Sequence, residues 1–271
     1  MAAQIPAVVA VVTPRHSRFR DRVVVACCIA WLVPAVVAVV RRIASGWYPV
    51  GDKAAIAVGG GDVLTEHHRL LGTASSASFQ SVLANHPGPL LFDVVALPIR
   101  LFGTATGLSI GIAALNIGAG LVVIVAAARQ AGRAAALAAT VGLCLLTWSA
   151  GNDVLVEAYN PTAAMVPFFA VLVLAWAAVN GDRWSLPWLV GFGSFCVQAN
   201  IAYVVTTVPI VAAAIGVYVW RRRGLRPLRD VLLWCLPVLL VLWSQPLVEQ
   251  VINGRNGNLV RLVRNTTNLE A

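Results

Sequence analysis

The stretch "GWYPVGDKAAIAVGGGDVLTEHHRLLG" (46–72) gathers Asp52, Asp62, Glu66, His67 and His68 in a chain of which only 11% is charged. Carboxylates and imidazoles are the side chains that remove a proton from a hydroxyl or return one to a leaving group. Three further stretches add to this inventory. "NHPGPLLFD" (85–93) ties His86 to a rigid Pro-Gly-Pro turn, suited to a headgroup contact or simply to ending a loop. "GNDVLVEAYNP" (151–161) sets Asp153 and Glu157 one helical turn apart, with Asn160 closing the segment before Pro161. "FCVQANIAY" (195–203) carries Gln198 and Asn200 inside an apolar run, where amides either bond helix to helix or line a cavity.

Each signal has a plainer reading. Asp52 follows Pro49 and Gly51 and can cap a helix beginning near Lys53. Gly59, Gly60 and Gly61 are expected to break any helix running from Asp52 to Asp62, so no close acid/base pair follows from these two carboxylates. His67, His68 and Arg69 can hold a phosphate or solvate a loop, and solvation is the commoner outcome. The absence of HxxxH and CxxC spacing argues against a zinc site, while carboxylates at an interface leave a divalent cation such as magnesium or manganese open. Cys27, Cys28, Cys144, Cys196 and Cys235 all lie in apolar runs and read as small buried residues.

The elements that must position these groups are membrane helices. A hydrophobic content of 59% and a mean hydropathy of +0.81 exclude an ordinary soluble domain. The expected fold is an all-α polytopic membrane helix bundle of about seven spans, near 23–40, 106–127, 134–150, 161–179, 186–201, 203–220 and 231–250. Residues 89–102 ("PLLFDVVALPIRLF") are too short and too interrupted for a span and suit an interfacial or re-entrant helix. The domain reading is a basic tail at 1–22, one transmembrane domain at 23–250 with a large first external loop at 41–105, and a C-terminal tail at 251–271.

Charge assigns the sides. With 89–102 not spanning, one set of loops collects 12 basic residues against Asp21, Asp182 and Asp230, and the other side carries eight basic and eight acidic residues. The positive-inside rule then puts the N-terminus in the cytoplasm, with Arg41 and Arg42 as exceptions on the outer side. Orientation in a cell membrane accounts for the net charge of +9, so no nucleic-acid partner is required. Every candidate site residue named above falls on the extracytoplasmic side.

The order of these features resembles the GT-C superfamily of membrane glycosyltransferases, and more closely its actinobacterial members. The residues carrying the resemblance are "WYPVGDKA", "GDVL", "LLGTASS" (70–76), "NHPGPLLFDVVALPIRLFG" (85–103), "YNPTAAMVPF" (159–168) and "FCVQAN", spread over roughly 46–250. The resemblance implies transfer of a sugar from a polyprenyl-phosphate donor to a cell-envelope glycan or lipid acceptor. It implies Asp52 as base, Asp62 as the alternative base or acceptor-orienting group, and His86 as a phosphate or sugar contact. Asp153, Glu157, Asn160, Gln198 and Asn200 complete the expected binding set. Two departures stand out. Asn200 occupies a place where the resemblance leads one to expect histidine, and the chain is shorter than the resemblance implies, so a separate chain supplying a further half is an expected partner. The alternatives are a non-catalytic or truncated membrane protein, or half of a split transporter or flippase.

Overall fold

The computed structural model describes residues 21–78 and 83–267. Among them the chain is helical, with no strand beyond an isolated antiparallel bridge between Ala74 and Asn85. In order come α1 (Arg22–Ala44), α2 (Asp52–Asp62), α3 (Leu90–Phe102), α4 (Thr104–Ala150), α5 (Asn160–Ala163), α6 (Met165–Val179), α7 (Ser185–Ala199), α8 (Val204–Arg222), α9 (Leu225–Asn253) and α10 (Asn258–Thr267). Five helical segments are long and apolar enough to cross a membrane: Arg22–Ala44, Thr104–Ala150, Asn160–Val179, Ile201–Arg222 and Leu225–Asn256.

The longest of these is a helical hairpin. The Asn116 side chain donates to the carbonyls of Val154 (3.4 Å) and Leu155 (3.1 Å), just beyond the end of α4. In one straight helix Asn116 and Ala150 would stand about 50 Å apart. The chain folds back at Ala131 and Gly132, where φ is −132° and +77° and the second value favours glycine. The stretches expected as spans near 106–127 and 134–150 fall on the two arms.

Small residues let the helices approach. Trp31 of α1 is wholly buried against Gly120 of α4, where a Cβ would lie 2.0 Å from the indole nitrogen, and that nitrogen donates to the Asn116 carbonyl at 3.3 Å. Gly59 and Gly60 do the same for α2: a Cβ would meet the Phe92 ring at 2.8 Å and Val95 Cγ2 at 2.7 Å on α3. The expectation that these glycines interrupt the helix is therefore corrected. α2 continues through them to Asp62, because contact with α3 outweighs a helix-propensity cost of about 1 kcal/mol per glycine. Asp52 is the first residue of α2 rather than its cap, which is Gly51 at φ +57°. α7, at 15 residues, is shorter than the length that spans a bilayer core, yet Leu186, Leu189 and Cys196 on it are fully buried. Cys144 is exposed, which corrects the reading of all five cysteines as buried.

The two ends of the bundle differ in chemistry. One end joins the C-terminus of α1, α2, α3, the 151–159 connection, the α7–α8 junction, the C-terminus of α9 and α10. The other collects the loops at 129–133, 180–184 and 221–229, linked by Arg129 to Asp182 (3.0 Å) and Arg221 to the Val179 carbonyl (3.1 Å).

Candidate functional site

The polar end is organised by a short hairpin. Ser75 N–H donates to the Ala84 carbonyl (2.9 Å), His86 N–H to Thr73 (2.9 Å) and Gly72 N–H to His86 (3.2 Å). Asn85 and Asn258 pair reciprocally, Asn85 N–H donating to Asn258 Oδ1 (2.8 Å) and Asn258 Nδ2 to the Asn85 carbonyl (3.0 Å), so α10 braces this hairpin. At its base His86 is buried, and its Nδ1 accepts from Ile201 N–H at 3.2 Å. That bond leaves the ring proton on Nε2. Burial pushes the His86 pKa down to about 4, against the opposing pull of the Asp52 charge. A neutral imidazole thus sits within electrostatic reach of an exposed carboxylate at the first turn of α2.

The base of α2 is clamped by Glu157. Its carboxylate meets Arg42 Nη2 at 2.9 Å and Lys53 Nζ at 2.5 Å, while Arg42 Nη1 donates to the Val156 carbonyl at 2.9 Å and the guanidinium lies 4.5 Å from the Trp47 ring centroid. Burial alone would raise the Glu157 pKa, but the bonds and charges of Lys53 and Arg42 outweigh it and hold the carboxyl below its ordinary range. Glu157 therefore works as an anchor for the residue next to Asp52. Asp153 is exposed and joins none of these bonds. The two acids do not share a face because residues 152–156 form a tight 3-10 turn, whose rotation of about 120° per residue separates positions four apart, and this corrects the expected helical pairing.

The amides divide into two kinds. Asn160 begins α5 instead of closing the preceding segment. Its Nδ2 donates to the Ala199 carbonyl (2.7 Å) and its Oδ1 accepts from the Thr73 hydroxyl (3.2 Å), tying the hairpin to the end of α7. Gln198 bonds helix to helix, Nε2 donating to the Leu242 carbonyl of α9 at 2.8 Å. Among the described residues its Oε1 is buried without a partner, and it lies over Gly88, where a Cβ would approach to 2.0 Å. Asn200 caps the turn at 201–203, accepting from Ala202 N–H at 2.9 Å.

Asp62 stands at the far end of α2, about 15 Å along the axis from Asp52, and pairs with Arg69 at 3.4 Å. The structure therefore brings Asp52, His86, Asn160, Gln198 and Asn200 to one region and leaves Asp62 and Asp153 outside it. A second array escaped sequence reasoning. Leu64 N–H donates to His68 Nδ1 (2.9 Å), His68 Nε2 meets Gln245 Oε1 (2.8 Å), and Gln245 Nε2 donates to Asp93 Oδ2 (2.9 Å). Burial raises the Asp93 pKa against the Gln245 bond and the His68 charge. Solvation was the expected role of His68; its bond to Gln245 corrects that, whereas His67 is exposed beside Glu66. The sequence signal was an aspartate inside an apolar run, although its partner lies 152 positions away.

Among the described residues no group of three or more His, Cys, Asp and Glu side chains converges as metal ligands would. Comparisons of the chain with protein-family models, curated proteins and solved structures return no match. The chemical capacity of the site rests on its own groups: an exposed carboxylate, a buried neutral imidazole with one N–H, and amides held by backbone carbonyls.

Proposed function

We propose that the chain is a cell-membrane GT-C-like glycosyltransferase that moves a sugar from a polyprenyl-phosphate donor to a cell-envelope acceptor. In this reading seven spans cross the bilayer: α1, the two arms of α4, α5 with α6, α7, α8 and α9. The N-terminus is cytoplasmic and the polar end faces outward. The observation that carries the proposal is the juxtaposition of Asp52 with the neutral His86 beside the α7–α8 junction.

Asp52 serves as general base, taking the proton of an acceptor hydroxyl as that oxygen attacks the anomeric carbon and the polyprenyl phosphate departs. His86 Nε2–H is suited to donate to a phosphate or sugar oxygen, and its low pKa keeps it neutral while doing so. Lys53 and Arg42 support the reaction indirectly, because both are engaged by Glu157. Asp62, far along α2, orients the acceptor at most.

The test is turnover of radiolabelled polyprenyl-phosphate sugars by membranes holding the full chain, wild type against Asp52→Asn at matched membrane levels. Loss of a general base lowers turnover about 10²- to 10⁴-fold. Turnover by Asp52→Asn equal to wild type removes Asp52 from this role.

A further inference from the structure

The end of the bundle opposite the candidate site has an unbalanced charge that its own contacts do not absorb. Each acid described there is engaged. Asp21 accepts from Val23 N–H (2.9 Å), Asp182 takes Arg129 through both oxygens (3.1 and 3.0 Å), and Asp230 accepts from the buried Tyr218 hydroxyl (2.8 Å). Some arginines are also used internally. Arg129 stacks 5.1 Å from the Trp184 ring centroid, Arg221 bonds the Val179 carbonyl, and Arg222 lies 5.1 Å from the Tyr218 ring while bonding the Gly181 carbonyl. Arg223, Arg226 and Arg229 are exposed and have no ion pair or hydrogen bond among the described residues. Arg133 and Arg183 stand exposed on the two adjoining loops.

The surroundings of these arginines identify their partner. The α8–α9 turn passes through positive φ at Arg223 (+43°) and Gly224 (+92°), and α9 begins at the next residue, Leu225. Trp220, Leu225 and Leu228 flank it with 71%, 84% and 48% of their surface exposed. On α9, Arg226 and Arg229 lie three apart on one stripe, and Leu225 and Leu228 on the neighbouring stripe. A surface that alternates guanidinium groups with an exposed indole and leucines matches the boundary between headgroups and hydrocarbon, where tryptophan settles and arginine meets phosphate. It does not match a face turned to bulk water.

We propose that Arg223, Arg226 and Arg229 form a binding site for anionic phospholipid headgroups at the α8–α9 turn, with Trp220, Leu225 and Leu228 seated in the same leaflet. Guanidinium forks hold the phosphate oxygens bidentately, a geometry that lysine would not reproduce. The proposal is independent of the glycosyltransferase reading.

The experiment measures lipid retention by native mass spectrometry on the purified full chain, offered phosphatidylglycerol or phosphatidylcholine. The proteins compared are wild type, Arg223→Gln/Arg226→Gln/Arg229→Gln, and Arg41→Gln/Arg255→Gln at the opposite end. Wild type should prefer phosphatidylglycerol. The triple variant should lose affinity for it on the order of 100-fold, from about five-fold per arginine, with unchanged melting temperature, and the opposite-end variant should behave as wild type. Equal retention by wild type and the triple variant overturns the proposal, as does an equal loss in the opposite-end variant. A third arm adds inorganic phosphate at constant ionic strength. Displacement of phosphatidylglycerol by millimolar phosphate makes this a soluble-phosphate site and overturns the lipid assignment; persistence of the lipid supports it.

Discussion

Glu157→Gln is the most informative single substitution at the polar end. The native carboxylate faces two cations, with Arg42, Lys53 and Glu157 side chains 9%, 31% and 18% exposed. Gln keeps the shape and one acceptor oxygen but removes the charge, leaving the Arg42 guanidinium, held against Trp47 and bonded to the Val156 carbonyl, without its counter-ion. Breaking a fully buried pair costs about 3–5 kcal/mol. Water reaches the Lys53 side of this triad, and exposed pairs contribute under about 1 kcal/mol, so the expected loss is ~2 kcal/mol. Thermal unfolding in a neutral detergent at pH 7.5 should drop by about 4–8 °C for a chain of this class. The sign with pH is fixed by the depressed folded-state pKa. The contribution is complete above the ordinary value of 4.5 and disappears as pH falls through the lower folded value, so wild type and Glu157→Gln should converge in acid. A stability change within about 0.5 kcal/mol of zero at pH 7.5, or a gap that widens in acid, refutes the clamp.

Three further predictions follow from particular contacts. Gly120→Ala should destabilise the chain by about 1–3 kcal/mol by driving a methyl into Trp31, and Gly120→Ala/Trp31→Leu should recover part of the loss; detergent melting curves decide, and an unaltered single variant contradicts the socket. His86 binds a proton more readily unfolded than folded between pH 6.5 and about 4, so stability should be full above 6.5 and fall by roughly 3 kcal/mol on acidification to 4, a slope that His86→Gln should abolish. Gln245→Leu should cost about 1–3 kcal/mol by stranding His68 and Asp93, and Gln245→Leu/Asp93→Leu should be less harmful than Gln245→Leu alone; additive losses in that cycle count against a connected array.

The membrane character was legible because it is written as local hydropathy, and the hairpin in α4 because "RQAGRAAA" places a glycine and two arginines between apolar runs. Other features depended on contacts between distant segments. The glycines at 59–61 read as a break when only propensity is weighed, and became a helix because Phe92 and Val95, more than 30 positions away, fill the space that side chains would take. Arg42, expected as an exception to the charge rule, likewise depends on a distant segment: Glu157, 115 positions downstream, supplies its counter-ion. Asp153 and Glu157 looked equivalent in sequence because spacing alone does not distinguish an α-turn from a 3-10 turn. The helix at Asn258–Thr267, expected as tail, took its role from Asn85 and Glu249, the latter accepting from the Asn258 N–H at 3.1 and 3.3 Å.

A division of labour among polar residues emerges from these contacts. Asn116 and Asn160 spend their amide N–H groups on backbone carbonyls at the ends of other segments, and Gln198 on a carbonyl inside α9, so each fixes one segment to another. Glu157 does the same with charge. Once these joints are made, Asp52 is left at the rim of a rigid assembly with no bond of its own among the described residues, while His86 is locked by Ile201 in the tautomer that presents Nε2–H. A carboxylate required only for stability would be expected to spend its acceptors on neighbours, as Glu157 and Glu249 do. The contrast yields a separable outcome: Asp52→Asn should leave the melting temperature within about 2 °C of wild type, because surface changes away from such joints shift stability by less than ~0.5 kcal/mol. A large loss of stability in Asp52→Asn would instead make Asp52 a structural member of the polar end, and the case for it as a base would fall with that result.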